Sequence, residues 1–90
     1  MEDNESSFAE LQSRIAATVK LLKEAKEADF EGKQASEVVF PTAKGDQKFT
    51  GISYLLSFAV PNFYFHYTTA YAILRNFGID VGKRDYLRNN

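Results

Sequence analysis

The chain has no cysteine, only one histidine and only two prolines in 90 residues. Without cysteine there is no disulfide framework, no thiolate nucleophile and no zinc-finger site. With one histidine, a Ser-His-Asp arrangement has no geometry to rest on. Charge of either sign is not in excess: 11 basic residues face 12 acidic ones, for a net charge of −1. That balance gives no electrostatic footprint for nucleic acid and no polybasic patch for anionic lipid. The five glycines are scattered, and Gly45 stands alone in a turn, so no phosphate-cradling loop exists. The N-terminus, MEDNESS, is acidic and polar, unlike a secretory signal or a basic transit peptide. Together with the missing cysteine it fits a cytoplasmic protein.

Charge is also missing locally. Between Lys48 and Arg75 lie 26 residues without one Asp, Glu, Lys or Arg. Four of the five tyrosines and the only histidine, His66, fall in this stretch. A run of this length is expected to be buried in protein or in lipid. It includes Pro61, Asn62, His66 and several hydroxyl side chains, which are costly in hydrocarbon and ordinary beside a cavity in a soluble core. The reading is therefore of a protein core, with a membrane span as the rival.

Residues 1–6 read as a disordered, solvated tail, and 7–90 as a single domain. Ser7 and Glu10 form an S-x-x-E capping box. Phe8, Leu11, Ile15, Val19 and Leu22 then recur at spacings of 3 and 4, which predicts a helix over 7–27. Residues 28–36 read as a loop punctuated by Gly32. Val38, Val39 and Phe40 favour extended structure, with Ala43-Lys44-Gly45-Asp46 as a turn before Lys48-Phe49-Thr50. This segment is a short two-stranded ribbon or an irregular loop. Thr50 is a good N-cap for a second helix over 51–76. Pro61 within it should cause a kink near 57–61, and Gly78 suits the left-handed position that ends a helix. Ile79, Val81, Tyr86 and Leu87 are available to pack back.

One stripe of the second helix runs through Ile52, Leu56, Ala59, Phe63, His66, Ala70, Ile73 and Phe77. The alternation of 4 and 3 is that of a helix packed lengthwise in a bundle, and it places His66 on a buried seam. Asn62 lies one turn before His66 on the same face. A second stripe of Tyr64, Tyr67 or Thr68, and Tyr71 has no evident cover within the chain. Self-pairing, or membership of a larger bundle, would cover it.

The strings FAELQSRIAATVKLL, TGISYLL and FAVPNFYFHYTTAYAILRNFGIDVGKRDYL resemble an uncharacterised domain-of-unknown-function family. That family lies within the DinB-like (YfiT-like) metalloenzyme superfamily. The resemblance covers about Phe8 to Leu87. It implies a four-helix bundle about twice this length, of which the chain matches the C-terminal half. Metal-binding members carry an H-x-x-x-H ahead of a Leu-Arg pair, with a third histidine from an earlier helix. Here the spacing falls on Asn62-x-x-x-His66 ahead of Leu74-Arg75. The first ligand is replaced by Asn, and the third has no counterpart.

Each candidate residue has two readings. His66 is a core histidine, or a metal ligand or general base lining a bundle cavity. Asn62 is its companion ligand, or satisfies backbone groups freed by Pro61. Phe63, Tyr67 and Ala70 line a pocket or simply pack. Lys83-Arg84-Asp85 binds an anion, or Asp85 pairs with a basic neighbour in solvent.

The expected fold is mainly α: two long helices joined by a loop with a short β-ribbon, half of a DinB-like four-helix bundle completed by dimerisation or by a missing N-terminal half. The expected function is a small-ligand-binding or protein-interaction module. The alternative is a metal-dependent transferase or hydrolase with a divalent metal, zinc or nickel, at His66. Nucleic acid is not an expected partner, nor is a membrane.

Overall fold

A computed structural model describes residues 2–88 of the chain. It is mainly helical with one small sheet, as the sequence predicts. It divides into two compact units, one ending at Gly32 and the other starting at Lys33.

The first unit holds helix α1, Phe8–Glu24, capped by Ser7. The Glu10 amide donates to Ser7 Oγ at 3.2 Å. The reciprocal arm differs from the expected box by one residue. The Glu10 carboxylate accepts from the Ser6 amide at 3.2 Å rather than from that of Ser7. The predicted end at residue 27 is also shortened. The helix stops at Glu24, and a single 3₁₀ turn follows over Glu27–Asp29, closed by the Lys26 amide donating to Asp29 Oδ2 at 3.0 Å. The segment before α1 is tied to it through Arg14, which pairs with Glu5 and, at 3.3 Å, with Asp3, and donates to the Glu2 carbonyl. The hydrogen bond from Arg14 holds the Glu5 carboxyl below its ordinary range, and the same bond raises Arg14.

The second unit begins with an antiparallel hairpin, which resolves the ribbon-or-loop alternative. Strand β1, Glu37–Thr42, pairs with β2, Gly45–Thr50, in the register Val38 to Phe49 and Phe40 to Gln47. The turn has Ala43-Lys44 at its tip between Thr42 and Gly45, one residue earlier than the sequence suggests. Gly45, at φ +112°, supplies the backbone conformation that closes it. Pro41 sits in β1 opposite Asp46; in a two-stranded sheet each strand has a free edge, so its missing N–H breaks no ladder.

Thr50 caps the next helix as predicted, and Ser53 completes the box. Ser53 N–H donates to Thr50 Oγ1 at 3.2 Å, and Thr50 N–H to Ser53 Oγ at 2.9 Å. Helical backbone then runs from Gly51 to Asn76 in three pieces: helix α2, Gly51–Tyr54; a π-helical turn, Leu55–Ala59; and helix α3, Val60–Asn76. The irregularity expected from Pro61 takes this form. The Val60 amide reaches back five residues to the Leu55 carbonyl. The wider turn admits one extra residue just ahead of a proline that can neither donate nor fit a regular turn.

That extra residue corrects the single seam read from the sequence. It turns α3 by about 100° relative to α2, so Ile52 and Leu56 do not continue the Phe63–Phe77 stripe. Tyr54 and Phe58 turn instead to the hairpin, where they cluster with Phe40 and Phe49 at centroid distances of 5.0–6.4 Å.

Two glycines have structural reasons. A Cβ on Gly51 would lie 1.9 Å from the Lys33 carbonyl oxygen, since residues 33–34 cross there and Gln34 O accepts from Ile52 N–H at 2.9 Å. Gly78, at φ +84°, ends α3 as predicted. Its N–H donates to Arg75 O and that of Ile79 to Leu74 O, the paired bonds of a Schellman motif. Helix α4, Lys83–Leu87, follows. Asp85 pairs with no basic group among the described residues; it accepts from the Gly82 amide at 2.7 Å and so caps α4.

The expected burial of the charge-free run is not met within the chain. Among the described residues no side chain is buried. Phe63 is 61% exposed and Phe77 78%. No helix among the described residues is long and apolar enough to cross a membrane.

Candidate functional site

Lys83, Arg84 and Asp85 lie on α4, and helix α3 carries the other candidates, Asn62, Phe63, His66, Tyr67 and Ala70. Its register separates them into two groups. Asn62 and His66, at i and i+4, share a side of the helix, and both are exposed rather than on a buried seam. The imidazole has the Phe65 ring at its edge, with centroids 5.3 Å apart and planes at 82°. In the turn before Pro61 the Val60 amide donates to the Leu55 carbonyl, and Ser57 Oγ donates to Ser53 O.

The other group surrounds Tyr86. The short helix α4 places this ring against Tyr67, with centroids 4.5 Å apart, and edge-on to Tyr71 at 5.3 Å. Tyr67 OH donates to the Tyr86 carbonyl at 2.6 Å, and Thr68 Oγ1 lies 2.9 Å from Tyr86 OH. Arg75 donates to Tyr71 OH at 3.1 Å, with its guanidinium 5.8 Å from that ring's centroid. The tyrosine stripe that the sequence leaves uncovered is thus partly covered, by Tyr86.

Two open hollows flank this contact. One, about 150 Å³, is lined by Tyr67, Ala70, Tyr71, Leu74, Val81, Asp85 and Tyr86. The other, about 360 Å³, is lined by Phe63, Tyr64, Tyr67, Tyr86, Leu87 and Arg88. The expected pocket residues are brought together in pairs: Tyr67 with Ala70 in the first, and Phe63 stacked on Tyr67 at 5.8 Å in the second. Asn62 and His66 line neither hollow. Leu74 and Arg88 line the hollows without having been singled out for a pocket, and Tyr86, read only as available to pack back, proves central to both. The signal for Tyr86 was present: an apolar pair, Tyr86-Leu87, one short turn after a helix-stopping glycine.

The donor set can be tested against the metal that the DinB-like resemblance implies. A zinc-type site needs three or four protein donors. Position 62 offers an amide and position 66 the only imidazole, and among the described residues no three His, Cys, Asp or Glu come together. The residues present do not make that shell.

A family model described as "Domain of unknown function (DUF1993)" matches residues 1–87. The chain belongs to this family. No curated protein matches this DUF1993 chain. Among solved structures, it is similar to a DinB family member protein from Shewanella denitrificans, with a TM-score of 0.86 and 42% sequence identity. That similarity covers 97% of this chain and 48% of the other, so the chain spans about half the length of the structure it matches. The DUF1993 chain is thus a DinB-like domain of unknown function, in keeping with the resemblance read from PNFYFHYTTAYAILR and GKRDYL.

Proposed function

We propose that this DUF1993 chain is a binding module, whose α3 faces take up a protein surface or a small apolar ligand. One observation carries the reading. A stretch of 26 residues without charge leaves none of its described side chains buried. A helix that is apolar on several sides stays dry only when other surfaces cover it. The DinB-like structure that matches this chain carries about as much polypeptide again, which supports a cover of comparable size. The cover would be a second copy or the other half of a four-helix bundle, with ligand held in the hollows beside Tyr67. The missing cysteine supports a cytoplasmic setting.

An apolar fluorescent dye tests the reading. The dilute chain should bind it strongly while its helical circular dichroism is intact. A helical chain that leaves the dye dark and melts sharply would overturn the reading. A metal-dependent transferase or hydrolase centred on His66 needs donors beyond those the described residues bring together. Stoichiometric divalent metal, lost in a His66→Gln variant, would be the result that favours it.

A further inference from the structure

We propose that residues 2–5 form an acid-released strap, held on the polar side of α1 by the Arg14 guanidinium and let go when the Glu5 carboxyl is protonated. The proposal uses only the first unit, so it neither rests on the binding-module reading nor falls with it.

Three of the four residues 2–5 are acidic, a composition that ordinarily stays solvated and free. Here the segment folds back beside α1 instead, and Arg14, two turns into the helix, gathers it. One guanidinium nitrogen donates to the Glu5 carboxylate and to the Glu2 carbonyl, and the other reaches Asp3 at 3.3 Å. The planar fork of donors lets one arginine hold three groups at once. One turn earlier on α1, the Glu10 carboxylate accepts from the Ser6 amide at 3.2 Å and from its hydroxyl at 3.4 Å.

The strap takes one side of the helix only. Its Asn4 and Glu5 border a hollow with Ala9, Glu10, Ser13 and Arg14. At about 100° per residue, those four α1 positions turn away from the stripe of Phe8, Leu11, Ile15, Val19 and Leu22. While the strap holds, an acidic segment is parked off that stripe. Once released, the segment is free to reach it.

Glu5, and not Asp3, is the trigger. The Asp3 side chain is 96% exposed, and an ion pair in open solvent is worth little. The Glu5 side chain is 14% exposed and that of Arg14 24%, so their contact is less screened. The charged side chains around Arg14 are Glu5 and Asp3 on the strap and Glu10 on α1, and Arg14 is the cation that faces Glu5. The Arg14 hydrogen bond holds the Glu5 carboxyl below its ordinary range. A carboxyl lowered by a contact supports that contact above the ordinary range, and the support is lost as pH falls through the lowered value. The strap is therefore closed at neutral pH and opens in acid.

Nuclear magnetic resonance of the full chain tests this. At neutral pH the Asn4 and Glu5 amides should be as ordered as those of α1. On acidification their order should be lost along the same curve as the Glu5 carboxyl titrates, below the usual glutamate range, while the α1 amides serve as reference. Glu5→Gln should give the released segment at neutral pH, Asp3→Asn should keep it strapped, and Arg14→Gln should return the Glu5 titration to the usual range. Asn4 and Glu5 amides already mobile at neutral pH in the parent would overturn the proposal. So would order that persists in Glu5→Gln, or a release that follows Asp3 instead. Should a substitution disturb α1 itself, the parent's own titration, which needs no variant, decides.

Discussion

At position 51 the backbone of residues 33–34 leaves no room for a side chain. A Gly51→Ala substitution puts a Cβ at 1.9 Å from a carbonyl oxygen, and the crossing segment must move. The Gln34–Ile52 hydrogen bond lies beside it and would be strained by that move. The expected loss is about 1–3 kcal/mol, the usual range for overpacking. A urea-unfolding midpoint measures it, and an unchanged midpoint would mean that the crossing is not there. Nothing in the sequence marks this role, because the partner of Gly51 lies far from it in the chain. Gly78 differs: it follows a long periodic segment, so local pattern alone gave its place. The periodicity places His66 on a buried seam because its helix is apolar around it, yet burial depends on what covers a face, and periodicity cannot supply the cover.

Among the elements, those governed by local chemistry were legible. The Ser7 and Thr50 caps, the α1 stripe, the extended Val38-Val39-Phe40 and the disturbance ahead of Pro61 all follow from neighbours a few residues apart. The kind of disturbance was not legible. A proline is compatible with a kink or with a π turn, and the choice decides which stripe Tyr54 and Phe58 join. Here they join Phe40 and Phe49, so the hairpin is fastened to the start of the helix by four rings.

Helix α4 is fastened in a similar way. With five residues it has no stability of its own, and Tyr86 is its anchor. Tyr86→Ala removes two ring contacts and the hydroxyl partner of Thr68. The ring is only partly buried, so the expected loss is about 1–2 kcal/mol, below the 3–5 typical of a buried aromatic. Near-ultraviolet dichroism should lose tyrosine signal while far-ultraviolet dichroism barely changes. Equal losses in both would mean that α4 is integral to α3 rather than docked on it.

For the whole molecule, the account turns on where the cover of α3 comes from. Hydrogen exchange reads this amide by amide. In dilute solution the amides of residues 60–76 should exchange readily, with opening energies under about 2 kcal/mol, because no described side chain of α3 is buried. Their protection should rise when another surface covers α3. The β1–β2 amides, tied by their own ladder, should change little. Strong protection of residues 60–76 that is already complete in dilute solution would contradict the account.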